Sequence, residues 1–295
     1  MTIRHLKIFI TVADCGKMRK AAELLYISQP SVSQVIQELE SHYGVKLFER
    51  LSQKIYLTES GKKLLLHARH VVDSFESMDL DMKNFGEHLR LRLGGSVSVG
   101  TCLFDALISR TQKEMPGIKI KVFINNTSFI EEMILKSQLD VGIVEGVVKS
   151  NDIIRIPIAK DELVMIVGRS DPLYDKKSIA LEELVGHSLI SREDGSTDRN
   201  QYERLLQERN IELEQNWCST NTEAIKKAVV AGRGVAIISK MLITQEVIEE
   251  KVKILNIDNI KVERDIQLIF HKNKFLSQSL QKFLTVCQEK PNEPY

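Results

Sequence analysis

Apolar residues recur at helical spacing between residues 18 and 40 and predict two consecutive helices. A short stripe marks the first helix and consists of Met18, Ala21, Ala22 and Leu25. A second stripe recurs at i, i+3, i+4 and i+7 and consists of Val32, Val35, Ile36 and Leu39. Ser28 is suited to cap the second helix, and Pro30 falls in its first turn, where a missing N–H is tolerated.

The face of the second helix opposite this stripe is polar but uncharged. Its side chains are short hydrogen-bonding groups of the kind that contact base edges in a major groove, namely Gln29, Ser31, Ser33, Gln34 and Gln37. Two helices joined in this way form either a DNA-binding helix-turn-helix or an ordinary αα-hairpin with a solvated face. The two interpretations are evenly balanced on this pair of helices alone.

The segment that follows favours the DNA-binding interpretation. After Tyr43-Gly44, the residues Ile55-Tyr56-Leu57 predict a short strand, so a β-hairpin wing is expected. Three apolar residues of the segment are expected to pack on the helices, namely Val45, Leu47 and Phe48. Ahead of the two helices, another helix ends at Gly16, with an inward stripe of Leu6, Phe9, Ile10 and Ala13.

A long helix is predicted from Thr58 to about His88. Apolar residues follow each other at alternating spacings of four and three, in the order Leu64, Ala68, Val71, Phe75, Met78, Met82, Phe85 and Leu89. This heptad seam is typical of a coiled coil. The alternative is a helix packed on its own domain, but the winged domain is too small to cover about 45 Å of helix. A second copy of the helix is the simplest partner.

Beyond residue 95, predicted strands and helices alternate, which indicates an α/β fold with a parallel-type sheet. Strands are predicted at Val97–Thr101, 118–124, Leu139–Val144, Ser188–Ser191, near Trp217 and at Val235–Ser239, with two extended segments around Ile153–Val167. Helices are predicted at Leu103–Met115, after Thr127-Ser128, after Leu181 and after Gly195-Ser196-Thr197, and from a capping box at Thr220–Glu223 to Gly232. The pattern restarts after Leu181, so two α/β lobes are expected.

The chain resembles the LysR-type transcriptional regulators along nearly its whole length. SQPSVSQVIQELE, GVKLFER and LTESGKKLL resemble the DNA-binding domain of that family, and VSVGT, LDVGIVEG, LISREDGS and TEAIKKAVVAGRGVAIIS resemble its effector domain. The resemblance implies a winged helix-turn-helix domain (1–58), a linker helix (59–90) and an effector domain with two lobes like those of periplasmic binding proteins. It also implies crossovers near Asp161 and Arg264, which give a first lobe of 91–160 and 266–295 and a second lobe of 161–265.

Composition agrees with a globular regulator. The 295 residues are 43% hydrophobic and 27% charged, with a net charge of +1. Eight Lys and Arg against five Asp and Glu precede Thr58, so the first domain is mildly basic. The four cysteines form no zinc-binding pattern. The apolar run Ile8–Ala13 stops at Asp14 without a cleavage-like site, and no run reaches membrane-spanning length, so a cytoplasmic protein without a membrane partner is expected.

Rival functions account for less of the sequence. The chain has no GxSxG, Walker or HExxH motif, so no enzyme and no cofactor are predicted. A transporter's binding protein would lack the winged head, and a structural DNA-binding protein would lack the lobes. We therefore predict a transcriptional regulator controlled by a small polar metabolite. It is expected to bind a partly palindromic DNA operator as a homodimer or homotetramer and to act on RNA polymerase.

Two groups of side chains are predicted to contact DNA. The base-reading group is Gln29, Pro30, Ser31, Ser33 and Gln34. The backbone-contacting group is Arg19, Lys20, Arg50 and Lys54. The run Lys17-Met18-Arg19-Lys20 departs from the family's Ser-x-Thr helix start, so a capping hydroxyl is lost and cations appear. These cations either lie in solvent at the end of the helix or contact DNA phosphates. We favour phosphate contacts because the recognition helix is adjacent.

The effector is expected where strands end and helices begin, because helix N-termini offer free N–H groups. The predicted effector residues are Thr101, Cys102, Thr127, Ser128, Glu145, Ser196 and Thr197. Helix capping alone would explain each hydroxyl, and their convergence in one cleft is implied by the family fold. Helix N-termini favour an anion, whereas Glu145 would suit an ammonium group. Cys102 is interpreted as an inert thiol, because peroxide-sensing family members use two cysteines in the second lobe and this lobe has only Cys218.

Overall fold

The computed structural model describes residues 1–51, 54–83, 89–258 and 260–289. The chain divides into two compact units. The first comprises residues 1–88 with the short segments 135–138 and 273–275, and the second comprises the remainder. Each unit is described separately below.

The first unit is a winged helix-turn-helix followed by a long helix, as predicted. Its elements are α1 (Ile3–Cys15), α2 (Met18–Leu25), α3 (Gln29–Tyr43), β1 (Phe48–Leu51), β2 (Lys54–Leu57) and α4 (Glu59–Lys83). The two strands pair antiparallel as the wing. The predicted stripes meet in one core, in which Phe9, Val12, Ala21 and Val32 are fully buried. Val45 was expected to pack there, but it is 41% exposed, and only Leu47 and Phe48 are buried.

Local sequence explains where these helices begin and end. Gly16 and Gly44 adopt the left-handed conformation that ends α1 and α3. Gly61 is required near the start of α4, because a Cβ atom there would lie 2.1 Å from the carbonyl oxygen of Leu47. The N-cap of α2 is Lys17, which makes no side-chain capping bond. The loss of a capping hydroxyl that the sequence predicted is therefore confirmed.

Helix α4 carries only part of the predicted seam. Ala68 is buried in the core of the winged domain, whereas four later seam residues are 41–67% exposed, namely Val71, Phe75, Met78 and Met82. Phe85 lies outside the described residues. The sequence predicts Leu89 on the seam, but this residue directly precedes the strand Arg90–Gly95 and packs against the core of the second unit. No helix in the described part of the chain is long and apolar enough to cross a membrane.

The second unit contains a continuous sheet and its covering helices. Its strands are β3 (Arg90–Gly95), β4 (Lys119–Ile124), β5 (Val141–Glu145), β6 (Ile153–Gly168), β7 (Ser178–Ile179), β8 (Ser188–Arg192), β9 (Glu214–Ser219), β10 (Val235–Ser239), β11 (Val252–Ile257) and β12 (Val262–His271). Its α-helices are α5 (Val97–Cys102), α6 (Phe104–Glu114), α7 (Thr127–Leu135), α8 (Thr197–Gln207), α9 (Thr222–Val230), α10 (Thr244–Ile248) and α11 (Gln278–Gln288), with 3-10 turns at Leu181–Leu184 and Lys240–Leu242.

The order of strands explains why this unit has two lobes. Parallel strands β4, β3 and β5 form the first lobe, and parallel strands β10, β8 and β9 form the second. The long antiparallel pair β6 and β12 runs between them, so that β12 pairs with β5 on one side and β6 pairs with β10 on the other. Arg264 lies opposite Asp161 in this central pair. The carboxyl ends of the parallel strands point toward the space between the lobes, where α/β sheets bind ligands.

Three further local predictions, all in the second unit, were wrong. Val97–Thr101 is not a strand but most of helix α5, and the strand precedes it at Arg90–Gly95. Packing overrides the β-propensity of its valines, because Val99 is fully buried on the first-lobe core. The two extended segments around Ile153 are a single strand of 16 residues. The cap of α9 is Asn221 rather than a Thr220 capping box, since its side chain accepts bonds from Glu223 N and Ala224 N.

Candidate functional site

The N-terminal turn of α3 presents most of the predicted base-reading residues to solvent. Gln29, Pro30, Ser31 and Gln34 are exposed. Ser28 Oγ accepts a hydrogen bond from Ser31 N at 3.2 Å, which fixes the start of the helix. Because the other face of α3 is held by Val32 in the core, these polar groups form one outward surface.

Ser33 differs from its neighbours because it is half-buried between α2 and α3. Gln29 Nε2 donates to Ser33 Oγ at 2.9 Å, and the Ser33 hydroxyl donates to Met18 Sδ, a weak acceptor, at 3.8 Å. Ser33 therefore fixes the orientation of the Gln29 amide through this hydrogen bond. Further along the helix, Gln34 Nε2 donates to Glu38 Oε1 at 2.9 Å.

The predicted cations at the start of α2 are accessible. Arg19 and Lys20 are both exposed, and Arg19 Nε lies 3.3 Å from Glu23 Oε1 in a solvated pair. Such a pair is weak and is readily exchanged for a phosphate contact. The side chains of Arg50 and Lys54 lie outside the part of the chain that the structure describes.

In the second unit, four predicted hydroxyls lie where the lobes meet. Thr127 Oγ1 and Thr197 Oγ1 each donate to the carbonyl oxygen of Glu145 at 3.2 Å, and Ser128 Oγ donates to Gly195 O at 3.3 Å. Ser196 is buried as the N-cap of α8 but makes no side-chain capping bond. Ser128 and Thr197 therefore contact the opposite lobe directly, whereas the bond of Thr127 lies within the first lobe.

Gly146 shows how close this contact is. Its φ of 80° is left-handed, and a Cβ atom there would lie 1.9 Å from Thr197 Cγ2. Only glycine allows α8 of the second lobe to approach the end of β5 in this way. The lobes are therefore closed against each other around Glu145 and Thr197.

The Glu145 carboxylate is bound inside the protein rather than directed at an open cavity. It accepts hydrogen bonds from the hydroxyls of Ser96 and Ser98 and lies 3.8 Å from the Arg264 guanidinium. Burial raises the pKa of Glu145, and the nearby Asp198 carboxylate adds to the rise, whereas Arg264 and Ser96 oppose it. Glu145 therefore has no free face for the ammonium group that the sequence left possible.

A buried charge network surrounds Arg264. The guanidinium lies 2.7 Å from Asp161 and 2.5 Å from Asp198, and these carboxylates keep the pKa of Arg264 above its ordinary value against the opposing effect of burial. Ser239 Oγ also donates to Asp161 Oδ1 at 2.9 Å. Sequence reasoning named Asp161 and Arg264 only as crossover points and missed Asp198, because no local pattern marks a contact between residues so far apart.

Thr101 and Cys102 lie apart from that closed contact. Thr101 is exposed, and its hydroxyl donates to Val97 O at 2.8 Å. It lines a cavity of about 360 Å³ between α5 and the start of α9, together with Val97, Thr220, Asn221, Thr222, Glu223 and Leu242. The second-lobe residues of this cavity were recognised in the sequence only as a helix cap.

Cys102 is directed at backbone rather than at the cavity. Its thiol lies 3.5 Å from Met241 O, and burial raises the pKa of the thiol. A thiol that resists ionisation is a poor nucleophile. Within the described residues, Cys15, Cys102, Cys218 and Cys287 are free, and no His, Cys, Asp or Glu cluster is suited to hold a metal ion.

A winged helix-turn-helix joined to two α/β lobes with a cavity between them defines a DNA-binding regulator with an effector-type domain. Family models match both parts: the bacterial regulatory helix-turn-helix protein of the lysR family over residues 3–62, and the LysR substrate binding domain over residues 86–292. A probable RuBisCO transcriptional regulator of Phaeodactylum tricornutum is 31% identical over 99% of this chain and 98% of its own.

Solved structures show the same fold. A full-length OxyR variant from Pseudomonas aeruginosa superposes with a TM-score of 0.71 at 20% identity, covering 99% of each chain. The regulatory domain of CcmR from Synechocystis PCC6803, solved in complex with 2-PG, gives a TM-score of 0.64 at 25% identity, covering 68% of this chain and 96% of that one. The chain belongs to the LysR-type transcriptional regulators and is a DNA-binding regulator with an effector-binding domain.

Proposed function

We propose that a small polar metabolite, bound between the two α/β lobes, controls operator binding or promoter activation by this regulator. The observation that carries the proposal is the cavity of about 360 Å³ lined by Thr101 and by the start of α9. Its size lies in the range of pockets that hold small ligands, roughly 300–1,000 Å³. The CcmR regulatory domain, which this effector domain resembles, holds 2-PG, so a small ligand is compatible with the fold.

The chemistry of the cavity favours an acidic or hydroxylated metabolite. Hydroxyl and amide groups line it at Thr101, Asn221 and Thr222, and the N-terminus of α9 adds partial positive charge. Glu223 also lines the cavity, but its carboxylate pairs with Lys226 Nζ. An ammonium group at Glu145 is disfavoured, because that carboxylate is already bound by Ser96, Ser98 and Arg264.

Control of DNA binding requires that the ligand prefers one setting of the lobes over another. The contacts that Ser128 and Thr197 make with the opposite lobe provide one such setting. A ligand that bridges Thr101 in the first lobe and Asn221 in the second would lower the free energy of the lobe setting that it bridges, relative to other settings of the lobes. We propose that this preference alters the spacing of the two recognition helices in a dimer. Cys102, Glu145 and Ser196 would then support the cleft rather than contact the ligand.

For DNA, the exposed face of α3 supports base contacts by Gln29, Pro30, Ser31 and Gln34, with Ser33 orienting Gln29. Arg19 and Lys20, and the wing residues Arg50 and Lys54, are proposed phosphate contacts. The exposed apolar residues of α4 support a homodimer, and a tetramer through the effector lobes follows the family expectation. We also propose that the regulator acts on RNA polymerase and is located in the cytoplasm.

A thermal-shift screen of metabolites, with 2-PG included, tests the effector proposal. A ligand that binds only the folded state raises the melting temperature. Thr101→Val removes the hydroxyl at the cavity and should abolish the shift. Thr285→Val is the matched control, because Thr285 is an exposed helical threonine with the same bond to the carbonyl four residues earlier. If every active metabolite shifts Thr101→Val as much as the parent, the cavity is not the effector site.

A further inference from the structure

The turn between α2 and α3 contains a tyrosine in an unusual conformation. Tyr26 follows the last residue of α2 with a φ of 54° and a ψ of 42°, in the left-handed region. Its N–H donates to Glu23 O at 3.3 Å, and Ile27 N donates to Ala22 O at 3.1 Å. This is a Schellman-type helix end, a position at which glycine is usual.

The same domain uses glycine at the equivalent position of its other two helix ends in the DNA-binding region. Gly16 ends α1 with a φ of 63°, and Gly44 ends α3 with a φ of 66°. An L side chain is disfavoured in this conformation because Cβ crowds the following carbonyl. The unfavourable backbone is not offset by packing, since Tyr26 is 94% exposed. The tyrosine side chain therefore does not serve the fold of the domain.

The position of Tyr26 places its phenol beside the DNA-binding surface. It is three residues ahead of Gln29, so their Cα atoms are at most about 11 Å apart. The major groove is about 12 Å wide. When the start of α3 enters the groove, an exposed long side chain within this distance of Gln29 is able to reach the phosphates at the groove edge. A phenolic O–H is a neutral donor of the kind that contacts phosphate oxygens.

We propose that Tyr26 is a DNA-backbone contact whose hydroxyl donates to a phosphate beside the recognition helix. The proposal rests on the DNA-binding function of the family and needs no effector. It explains why this helix end carries a strained, exposed tyrosine where glycine would be more stable. A contact with another protein would use the same exposed ring but would leave DNA affinity unchanged.

Fluorescence anisotropy with labelled duplexes tests this proposal on the full chain. Two probes are used: a random-sequence duplex, and an operator selected by the parent protein from a random-sequence library. Tyr26→Phe removes only the hydroxyl and should weaken binding to both probes equally, by roughly 3- to 10-fold. The slope of log K against log salt should stay unchanged, because a neutral side chain releases no counterion. Arg19→Ala, in contrast, should reduce that slope by about 1.

Two matched controls separate the phenol from general effects. Tyr43→Phe removes a phenolic hydroxyl at the far end of α3, about 21 Å along the helix from Gln29, and should not change affinity. Tyr26→Gly should weaken DNA binding while raising the melting temperature of the first unit by roughly 2–4 °C. Asn210→Gly relieves a left-handed residue with a φ of 55° in the second unit and should leave DNA binding unchanged.

Each outcome decides for or against the proposal. Equal loss on both probes for Tyr26→Phe, with an unchanged salt slope, supports it. Parent-like affinity of both Tyr26→Phe and Tyr26→Gly overturns it and points to a protein partner or to no role. A loss confined to the selected operator overturns the phosphate assignment in favour of a base contact. Loss with Tyr26→Gly but not with Tyr26→Phe also overturns it, because the ring rather than the hydroxyl would then act.

Discussion

Arg264 and Asp161 lie opposite each other in the register of β12 and β6 and form an ion pair of 2.7 Å with both side chains fully buried. The same guanidinium lies 2.5 Å from Asp198 at the start of α8 and 3.8 Å from Glu145 at the end of β5. One cation on β12 therefore lies within 3.8 Å of carboxylates from both lobes, and the buried Arg192 guanidinium lies 3.8 Å from Asp198 as a second cation. This network therefore joins the central strands to residues of both lobes.

Removal of Arg264 should be strongly destabilising. Arg264→Leu would leave three carboxylates buried without their shared cation, a change expected to cost about 3–5 kcal/mol. Urea unfolding followed by the fluorescence of Trp217, the single tryptophan, reports on the lobe that contains Asp198. Lys160→Leu is the control, because Lys160 pairs with Glu263 at 4.0 Å in an exposed position and should change stability by less than about 0.5 kcal/mol. Equal stability of the two variants would contradict the role of Arg264.

The raised pKa of Glu145 predicts a pH dependence with a definite sign. The folded state holds this proton more tightly than the unfolded state, whose value is near the ordinary 4.5. The stabilisation from Glu145 is therefore complete below 4.5 and is lost as the pH rises through the folded-state pKa. Relative to Glu145→Gln, the parent should lose free energy of unfolding as the pH increases.

Urea titrations of the parent and Glu145→Gln at a series of pH values on both sides of 4.5 measure this difference. Glu183→Gln is a control of opposite sign, because the hydrogen bond from Lys176 lowers the pKa of Glu183, so its smaller contribution is lost on acidification. A pH-independent difference between the parent and Glu145→Gln would show that Glu145 is not a buried acid with a raised pKa.

Gln29 and Ser33 should act together in sequence discrimination. Gln29→Ala should reduce the preference for operator over random DNA by about 1–3 kcal/mol, since it removes the amide that we propose to contact bases. Ser33→Ala should have a smaller effect of the same kind, because the Ser33 hydroxyl accepts the 2.9 Å bond that orients Gln29. The double variant should be less impaired than the sum of the two.

Competition binding with operator and random duplexes provides the measurement. Arg19→Ala and Arg50→Ala serve as comparisons, because loss of a phosphate contact weakens all sequences alike and reduces the salt slope by about 1. If Gln29→Ala lowers affinity equally for both duplexes, Gln29 does not contact bases.

The exposed apolar residues of α4 predict that a charge on this seam disrupts assembly. Phe75 is 41% exposed in the first unit, and Phe75→Asp should lower the sedimentation coefficient by dissociating the dimer. Lys63→Asp introduces the same side chain at an exposed position of α4 off the seam and should leave the assembly intact. An unchanged oligomeric state for Phe75→Asp would show that α4 is not the dimer contact.

Elements with strong periodicity were predictable from the sequence. The stripes of Val32, Ile36 and Leu39 and of Met18 and Ala21 account for the helix pair, and Ser28 marks the start of α3. Val97–Thr101 was misassigned because alternating valines suit a strand locally, whereas burial of Val99 decides for a helix. The local pattern does not predict the secondary structure of Val97–Thr101, because tertiary packing determines it.

The candidate site was predictable only in part, for the same reason. Hydroxyls at helix starts were recognised, but the sequence does not show that Thr127 and Thr197 donate to the same carbonyl of Glu145. Nor does it show that Asp198 pairs with Arg264. These contacts join residues distant in the chain, and only the folded topology brings them together. Thr101 and Asn221 line one cavity for the same reason.

The most direct test of effector control is a DNase I footprint of the operator, recorded with and without a metabolite that stabilises the parent protein. We expect the metabolite to change the parent's footprint and that of Thr285→Val. Thr101→Val should bind the operator with the parent's basal affinity but show the same footprint with and without the metabolite. If Thr101→Val changes its footprint as the parent does, the metabolite does not act through this cavity.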